Sequence, residues 1–461
     1  MKTVPPASSI EIPRISRRSF VRGATQAAAA LTLLHPKILR AADPTADPRQ
    51  GPLAPIGEAK GVHPGRVVWV HDRKVLDWQG PGDGLWYEPA HSSQDRAQAM
   101  MDRALTELTG EPTVARAWDR LLRHFNQTRG HHDLGYQSGQ KFLIKPNWVG
   151  MIWREGAVDP ETYRLIKRQN YMNNSPQLII ALIRQLTGHV NVRESDITVC
   201  DTLAYLVHDH YDILHAACPK VRYVDFAGKF GRIKTEASAV PLYWSCRPET
   251  ASRDVLPTCF VEANYQVNFA TLKAHAATGI TLCGKNHFGS LIRWPVERGY
   301  YDMHRHSFSK EQRLYREQVD LLGHAQLGGK TVLNLIDGLL CGKHPVDPVP
   351  RRMSLAPLTG DWAKSLFASQ DPVALDSVGF DILHAEYDDY PRRPGVDDYL
   401  HEAALAADPP SGTFYDPDHP TPVQRLASLG VHEHWNNPAE KQYSRNLGTG
   451  PGIELVPIDL G

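Results

Sequence analysis

The stretch TLKAHAATGITLCGKNHFG, Thr271–Gly289, decides the fold class, because it joins an apolar run to a polar turn that contains glycine. The apolar run, Val267–Leu272, predicts a buried strand that ends at Lys273. Cationic and imidazole side chains are seldom buried without partners. Two lysines, two histidines and an asparagine in so short a segment therefore predict a pocket for an anion or a metal ion.

Four other apolar runs end on a charged side chain: Phe142–Ile144 before Lys145, Ile197–Cys200 before Asp201, Val221–Val224 before Asp225, and Val332–Ile336 before Asp337. Helical patterns lie between them, which predicts an α/β fold with a largely parallel or mixed sheet flanked by helices. Ligands of such sheets bind beyond the carboxyl ends of the strands. A single charge can simply mark where a strand reaches the surface, but five together favour a site.

Capping signals place the helices. Apolar residues recur at helical spacing between Ser93 and Gly110, Ser175 and Pro176 open an apolar helix, and Asp371 and Pro372 open another. Asp376 lies one turn into that last helix. The same apolar periodicity indicates a further helix after Val114.

Composition excludes some partners. The 461 residues carry 51 basic and 51 acidic side chains and are 41% hydrophobic. This balance gives no reason to expect nucleic acid or a membrane surface as a partner. Beyond the N-terminal region, no segment approaches the roughly 18 apolar residues of a membrane span, so we expect no stable membrane insertion after signal removal.

The N-terminal region has the pattern of a twin-arginine (Tat) signal peptide, with Arg17 and Arg18 before an apolar stretch and a small-residue end at Ala41 and Ala42. The pattern predicts export by the Tat machinery to a periplasmic or extracellular location. The predicted organisation is a signal peptide (1–42), a linker (43–65), an α/β domain (66–385) and a loop-rich C-terminal extension packed on that domain (386–461).

The six cysteines permit disulfides, in any of 15 complete pairings, but none forms a CxxC pair. Their spacing therefore predicts no iron–sulfur cluster. We interpret most of them as buried small apolar residues.

An ordered set of motifs resembles the domain of unknown function 362 family: Lys145-Pro146-Asn147, Lys273-Ala274-His275, Lys285-Asn286-His287-Phe288-Gly289, Asp337-Gly338 and Asp371-Pro372-Val373-Ala374-Leu375-Asp376. The resemblance covers Val67–Ala385 and implies an α/β domain. Members sometimes carry a ferredoxin-like cluster domain, which the cysteine spacing here does not supply. The family name assigns no activity.

The motif residues predict an enzyme that acts on an anionic small molecule in a Lys/His/Asp cleft by acid–base or metal-assisted chemistry. The predicted catalytic residues are His275, His287, Lys285 and Asp337. The predicted substrate-binding residues are Lys145, Asn147, Lys273, Asn286, Asp201 and Asp376.

A divalent metal ion is a possible cofactor, since His304 and His306 place two imidazoles on one side of an extended segment and Asp337 or Asp201 can add an oxygen ligand. Such a cation would support hydrolysis or enolisation. In a chain with 22 histidines an HxH pair is more often part of a solvated loop, and the same interpretation applies to His432-Glu433-His434.

The alternative hypothesis is a non-catalytic periplasmic protein that binds an anionic ligand or serves a redox partner. The environments of two histidines distinguish the enzyme from the binding protein. If His275 and His287 face a solvent-filled cleft near Asp337 or Asp201, the enzyme is favoured; if they are bound to backbone in a packed interior, a binding or structural role is favoured.

Overall fold

The computed structural model describes residues 53–152, 156–167, 172–246, 254–293, 316–344 and 350–461. The predicted signal peptide and the predicted metal ligands His304 and His306 lie outside these ranges. None of the helices within them combines the length and the apolar character needed to cross a bilayer.

The strands in chain order are β1 (Ile56–Gly57), β2 (Arg66–His71), β3 (Phe142–Lys145), β4 (Val158–Asp159), β5 (Arg164–Leu165), β6 (Ile197–Cys200), β7 (Arg222–Asp225), β8 (Ile233–Lys234), β9 (Ala237–Leu242), β10 (Asp254–Pro257), β11 (Tyr265–His275), β12 (Gly279–Thr281), β13 (Thr331–Gly342), β14 (Ser365–Ser369), β15 (Val431–His432) and β16 (Glu454–Asp459). The α-helices are α1 (Gln94–Thr109), α2 (Val114–Thr128), α3 (Pro176–Gly188), α4 (His208–Ala217), α5 (Thr258–Glu262), α6 (Cys283–Asn286), α7 (Glu317–Gly323), α8 (Pro372–Glu386) and α9 (Asp398–Ala404).

Within the described ranges, ten strands form one mixed sheet in the order β16-β2-β14-β13-β11-β3-β6-β7-β8, with β12 paired to β11. The strands from β13 to β8 along this order run parallel to one another. β14 is antiparallel to both of its neighbours, and β12 is antiparallel to β11. The predicted α/β class with a parallel or mixed sheet is confirmed.

Helices cover both faces of the sheet. Alternate strand residues enter two separate hydrophobic clusters, as Val68 and Ile144 do on one face and Val67 and Leu143 on the other. The first cluster contains the buried sides of α1 to α4, and the second those of α6 to α9. Burial on both faces explains why these strands read as continuous apolar runs.

The predicted helix starts are confirmed. Ser93 accepts a hydrogen bond from the Arg96 amide at the start of α1, and Gly110 ends that helix in the left-handed conformation. Ser175 caps α3, which has Pro176 in its first turn, and Asp371 caps α8 through the amides of Val373 and Ala374. Each cap satisfies amide groups that the helix leaves without a partner.

Two of the predicted strand ends are wrong. β11 continues past Lys273 to His275, because β12 folds back and pairs Lys273 with Thr281. β13 continues past Asp337 to Gly342, and its residues 334–338 pair with β14. Backbone partners beyond the apolar run therefore extend both strands, and both charged side chains lie within strands.

The C-terminal region, predicted to be rich in loops, also contributes regular structure. α9 and β15 belong to it, and β16 is an edge strand of the main sheet, parallel to β2. None of the six cysteines forms a disulfide in the described parts of the chain, and five of them are buried.

A tight turn joins β11 to β12 and gives a test of the fold. Gly279 has a φ of +77°, and a Cβ there would lie 2.4 Å from Val396 Cγ1. Gly130, with a φ of +72°, has nothing within 4 Å of that position. We expect Gly130→Ala to cost about 1–2 kcal/mol of unfolding free energy for the left-handed conformation alone. Gly279→Ala should cost about 1–3 kcal/mol more because of overpacking.

Urea denaturation of both variants measures this difference. Equal losses in the two variants would contradict the close approach of Val396 to the turn.

Candidate functional site

Five of the predicted substrate-binding residues are linked directly by hydrogen bonds. Lys145 Nζ donates to Asp201 Oδ2 at 3.2 Å and to Asn286 Oδ1 at 3.3 Å. Asn147 Nδ2 donates to the same Asn286 oxygen at 2.9 Å, and Lys273 Nζ donates to Asn147 Oδ1 at 2.6 Å. All five are buried. We call Lys145, Asn147, Asp201, Lys273 and Asn286 the lysine cluster.

The order of the strands explains why the residues of the lysine cluster lie close together. Lys145 ends β3, Asp201 follows β6 and Lys273 lies near the end of β11, and these three strands are adjacent and parallel. Their carboxyl ends therefore share one rim of the sheet. Asn286 ends the short helix α6 and bonds back to the Lys145 carbonyl at 3.1 Å.

Lys273 has a strongly perturbed environment. Burial, and then the charge of Lys285, hold the pKa of its amine well below 10.5, while Asp201 and Asp337 oppose this effect. Its Nζ also donates to the Met172 carbonyl at 2.6 Å. The neutral amine is therefore easier to form here than on an exposed lysine.

Asp337, a predicted catalytic residue, is engaged by backbone amides. Its Oδ2 accepts from Ser175 N at 2.7 Å and its Oδ1 from Leu339 N at 3.0 Å. Burial raises the pKa of its carboxyl to about 6. Asp337 thus ties the start of α3 to the sheet, close enough to act on the charge of Lys273.

The two predicted catalytic histidines occupy different environments. His287 is fully buried, its Nδ1 lies 3.4 Å from Ser290 Oγ, and burial lowers its pKa to about 3. His275 Nδ1 accepts hydrogen bonds from the amides of Ala277 and Thr278 in the β11–β12 turn. The buried His287 is therefore not an imidazole that titrates near neutral pH, and His275 is bound to backbone amides of its own turn.

The segment after α6 packs closely on the cluster. Lys285 Nζ lies 4.6 Å from the centroid of the Phe288 ring. A Cβ on Gly289 would lie 3.0 Å from Lys145 Nζ and 3.2 Å from Asp201 Oδ1. Glycine at this position therefore lets the backbone approach the ion pair closely.

Asp376 lies outside the hydrogen-bonded cluster but positions part of it. Its Oδ1 accepts from Cys283 N at 2.7 Å, and its Oδ2 accepts from Gly284 N at 2.8 Å and from the Tyr399 hydroxyl at 3.0 Å. α8 thus holds the first amides of α6, the helix that carries Lys285 and Asn286. Burial raises the pKa of this carboxyl to about 6.

A second group of polar side chains can hold a metal ion. One ligand atom from each of Asp397, His401, His432 and His434 lies within 4.8 Å of the others. The interpretation of His432 and His434 as part of a solvated loop is wrong, because both are buried. Sequence reasoning missed Asp397 and His401, although their spacing of four residues at the start of α9 was a usable signal.

Replacement of Asp376 tests its positioning role. Asp376→Asn offers a single oxygen to two buried amides, so we expect a loss of about 1–3 kcal/mol of unfolding free energy. The folded-state pKa of Asp376, about 6, exceeds the ordinary value of 3.8. The protonated carboxyl therefore adds to the free energy of unfolding below pH 3.8, and this contribution is lost as the pH rises through about 6. The advantage of the wild type over the variant should therefore shrink across this range.

Denaturation of both proteins at several pH values measures this change, with the exposed Asp408→Asn as the control. A difference that does not vary with pH would contradict the buried carboxyl.

Comparison with known proteins assigns the family. A family model with the description Domain of unknown function (DUF362) matches residues 143–381, more than half of the chain. No curated protein and no solved structure matches the chain. The matched range contains the whole lysine cluster and ends before Asp397 and the histidines of the second group. The chain belongs to the domain of unknown function 362 family.

Proposed function

We propose that this protein is an enzyme that binds an anionic small molecule at the lysine cluster and uses the Lys273 amine as a proton acceptor. The observation that carries the proposal is a fully buried amine that is under the influence of Lys145, Lys285, Asp201 and Asp337. Perturbed amines of this kind concentrate at functional sites.

The charge balance favours an anion. The charge balance changes with the state of Lys273: with its amine neutral, Lys145 and Lys285 match the two carboxylates, and an ammonium at Lys273 leaves one positive charge in excess. Both Asp337 oxygens accept backbone amides, and Asp201 accepts from Lys145 and from the amides of Trp148 and Leu203. A carboxylate or phosphate would supply the missing negative charge, and compact ammonium groups suit both ligands.

The proton step follows from the state of Lys273. Its neutral amine takes a proton from a carbon or hydroxyl next to the anionic group and becomes an ammonium. The electron pair remains on the ligand, where Lys145 and Lys285 stabilise the new negative charge. This is the proton transfer of an isomerase or lyase, and Asn147 and Asn286 would orient the ligand oxygens.

A second candidate function is ligand binding without catalysis. It is favoured by the two histidines, since His275 is bound to turn amides and His287 is buried beside Ser290. The two candidate functions differ in whether a proton of the ligand exchanges with solvent. Incubation with a panel of small carboxylates in deuterium oxide, followed by mass spectrometry, should show deuterium uptake for an enzyme; thermal stabilisation by a carboxylate that gains no deuterium would favour binding alone.

Export through the twin-arginine route to a periplasmic or extracellular site remains part of the proposal. It is supported by the Arg17-Arg18 pattern alone. Tat machinery carries folded proteins, so a ligand or metal ion could be bound before export.

Binding is tested with inorganic phosphate and succinate as probes. We expect both to raise the melting temperature of the wild type, and Lys285→Gln to weaken the apparent affinity about 10–100-fold, since a hydrogen bond to a charged group contributes about 1.5–3 kcal/mol. Lys330→Gln is the matched control, because Lys330 is a partly buried lysine that donates to the Val261 carbonyl at 2.6 Å. An equal response in both variants would remove the proposed site.

The role of Lys273 is tested with Lys273→Met, which keeps the volume and removes the buried amine. We expect little change in stability near neutral pH, because the cost of neutralising a buried lysine disappears together with its hydrogen bonds to Asn147 and Met172, but we expect proton exchange to stop. The lowered pKa of Lys273 means that the wild type gains stability relative to the variant as the pH rises towards 10.5. Deuterium uptake that persists in Lys273→Met would refute the assignment of the base.

A further inference from the structure

We propose that Asp397, His401, His432 and His434 bind one divalent transition-metal ion of the zinc class through three imidazole Nε2 atoms and one carboxylate oxygen. We call these four residues the histidine clasp. They come from the start of α9 and from the segment around β15, outside the range matched by the family model. This proposal does not rest on the function proposed for the lysine cluster.

The hydrogen bonds of His432 fix its tautomer. Ser377 Oγ donates to the Val373 carbonyl at 2.7 Å, so this hydroxyl accepts the N–H of His432 Nδ1 at 2.8 Å. The lone pair of the imidazole is then on Nε2. That atom is buried and takes no hydrogen bond among the described residues. A buried lone pair without a donor is what a metal ligand requires.

His434 has the support that metal-bound histidines usually have. Its Nδ1 lies 2.7 Å from Asp381 Oδ1. The other oxygen of Asp381 accepts from the Trp435 amide at 3.1 Å and from the Tyr443 hydroxyl at 3.0 Å. A carboxylate that orients the ring through Nδ1 leaves Nε2 for the metal. The Nε2 atom faces Asp397 Oδ2 at 3.2 Å.

Asp397 and His401 complete the group. His401 Nε2 lies 3.5 Å from Asp397 Oδ2, and this nitrogen is also buried without a hydrogen bond in the described parts of the chain. Metal–ligand distances of about 2.0–2.1 Å in a tetrahedron give ligand–ligand distances of roughly 3.3 Å. The two distances to Asp397 Oδ2, 3.2 Å and 3.5 Å, fit that edge.

Protonated histidines without a metal ion would account for only some of the contacts among these four residues. A protonated His434 would be satisfied by Asp381 and Asp397 on its two sides. A protonated His401 would also face Asp397, at 3.5 Å, but the buried Nε2 atom of His432 would still have no donor among the described residues. One cation between the four residues would give that nitrogen a partner.

The ligand set indicates the class of metal. Three imidazoles and one carboxylate suit zinc and its neighbours in the first transition row, whereas calcium and magnesium prefer oxygen ligands. Four protein ligands are typical of a structural site, because catalytic sites keep one position open for water or substrate. The ion would join α9 to the β15 segment. Ser377 and Asp381 of α8 already bind His432 and His434 of that segment.

The test uses the full chain, stripped with a chelator and titrated with Zn²⁺ against a chromophoric competitor. We expect one ion per chain and a higher melting temperature after addition. His401→Gln should lower the affinity at least about tenfold, and Asp381→Asn about 10–100-fold. His401 is the first choice because it is only half-buried, so its replacement is least disruptive to folding.

Two controls separate this site from other histidines. His210→Gln removes a buried histidine whose nitrogens also take no hydrogen bond among the described residues, but which belongs to no ligand group there, and it should leave the affinity unchanged. His304→Ala should also retain the ion. Failure of the wild type to bind Zn²⁺, or equal affinity in His401→Gln and His210→Gln, would overturn the proposal.

Discussion

The carboxylate of Asp376 is the contact on which the arrangement of the lysine cluster depends. It binds the first two amides of α6, a helix of only four residues that cannot hold itself in place by its own hydrogen bonds. Lys285 and Asn286 extend from this helix, and Asn286 joins Lys145 to Asn147. A fixed position of α6 is therefore a condition for the hydrogen-bonded cluster.

Burial of so many charges at one rim requires a rigid surrounding. Lys145 and Asp201 are paired, but Lys273 is held mainly by oxygens of Asn147 and Met172. Such groups persist only when the neighbouring backbone determines their positions. The parallel strands provide that frame, and Asp337 ties it to the start of α3. Folding therefore bears the electrostatic cost of this burial, and the Lys273 amine is held in a fixed position.

Sequence patterns predicted the parts of the site that depend on strand direction. Lys145 and Asp201 follow short apolar runs that coincide with real strands, so their meeting at one rim could be deduced. The role of His275 could not be deduced, because its partners are turn amides that leave no pattern in the sequence. The histidine clasp was missed for a related reason: α9 and β15 meet only through tertiary packing, and the polar tail gave no sign that His432 is buried.

β16 has a consequence for how the protein forms. Its pairing with β2 joins Glu454 to Arg66. The outer edge of β2 is therefore covered only after the ribosome has synthesised the residues between these two strands. Until then β2 presents open backbone groups on its outer side, which is a common starting point for aggregation. Closing so long a loop is also slow. During synthesis, that side of β2 therefore stays open until the segment that forms β16 has been made.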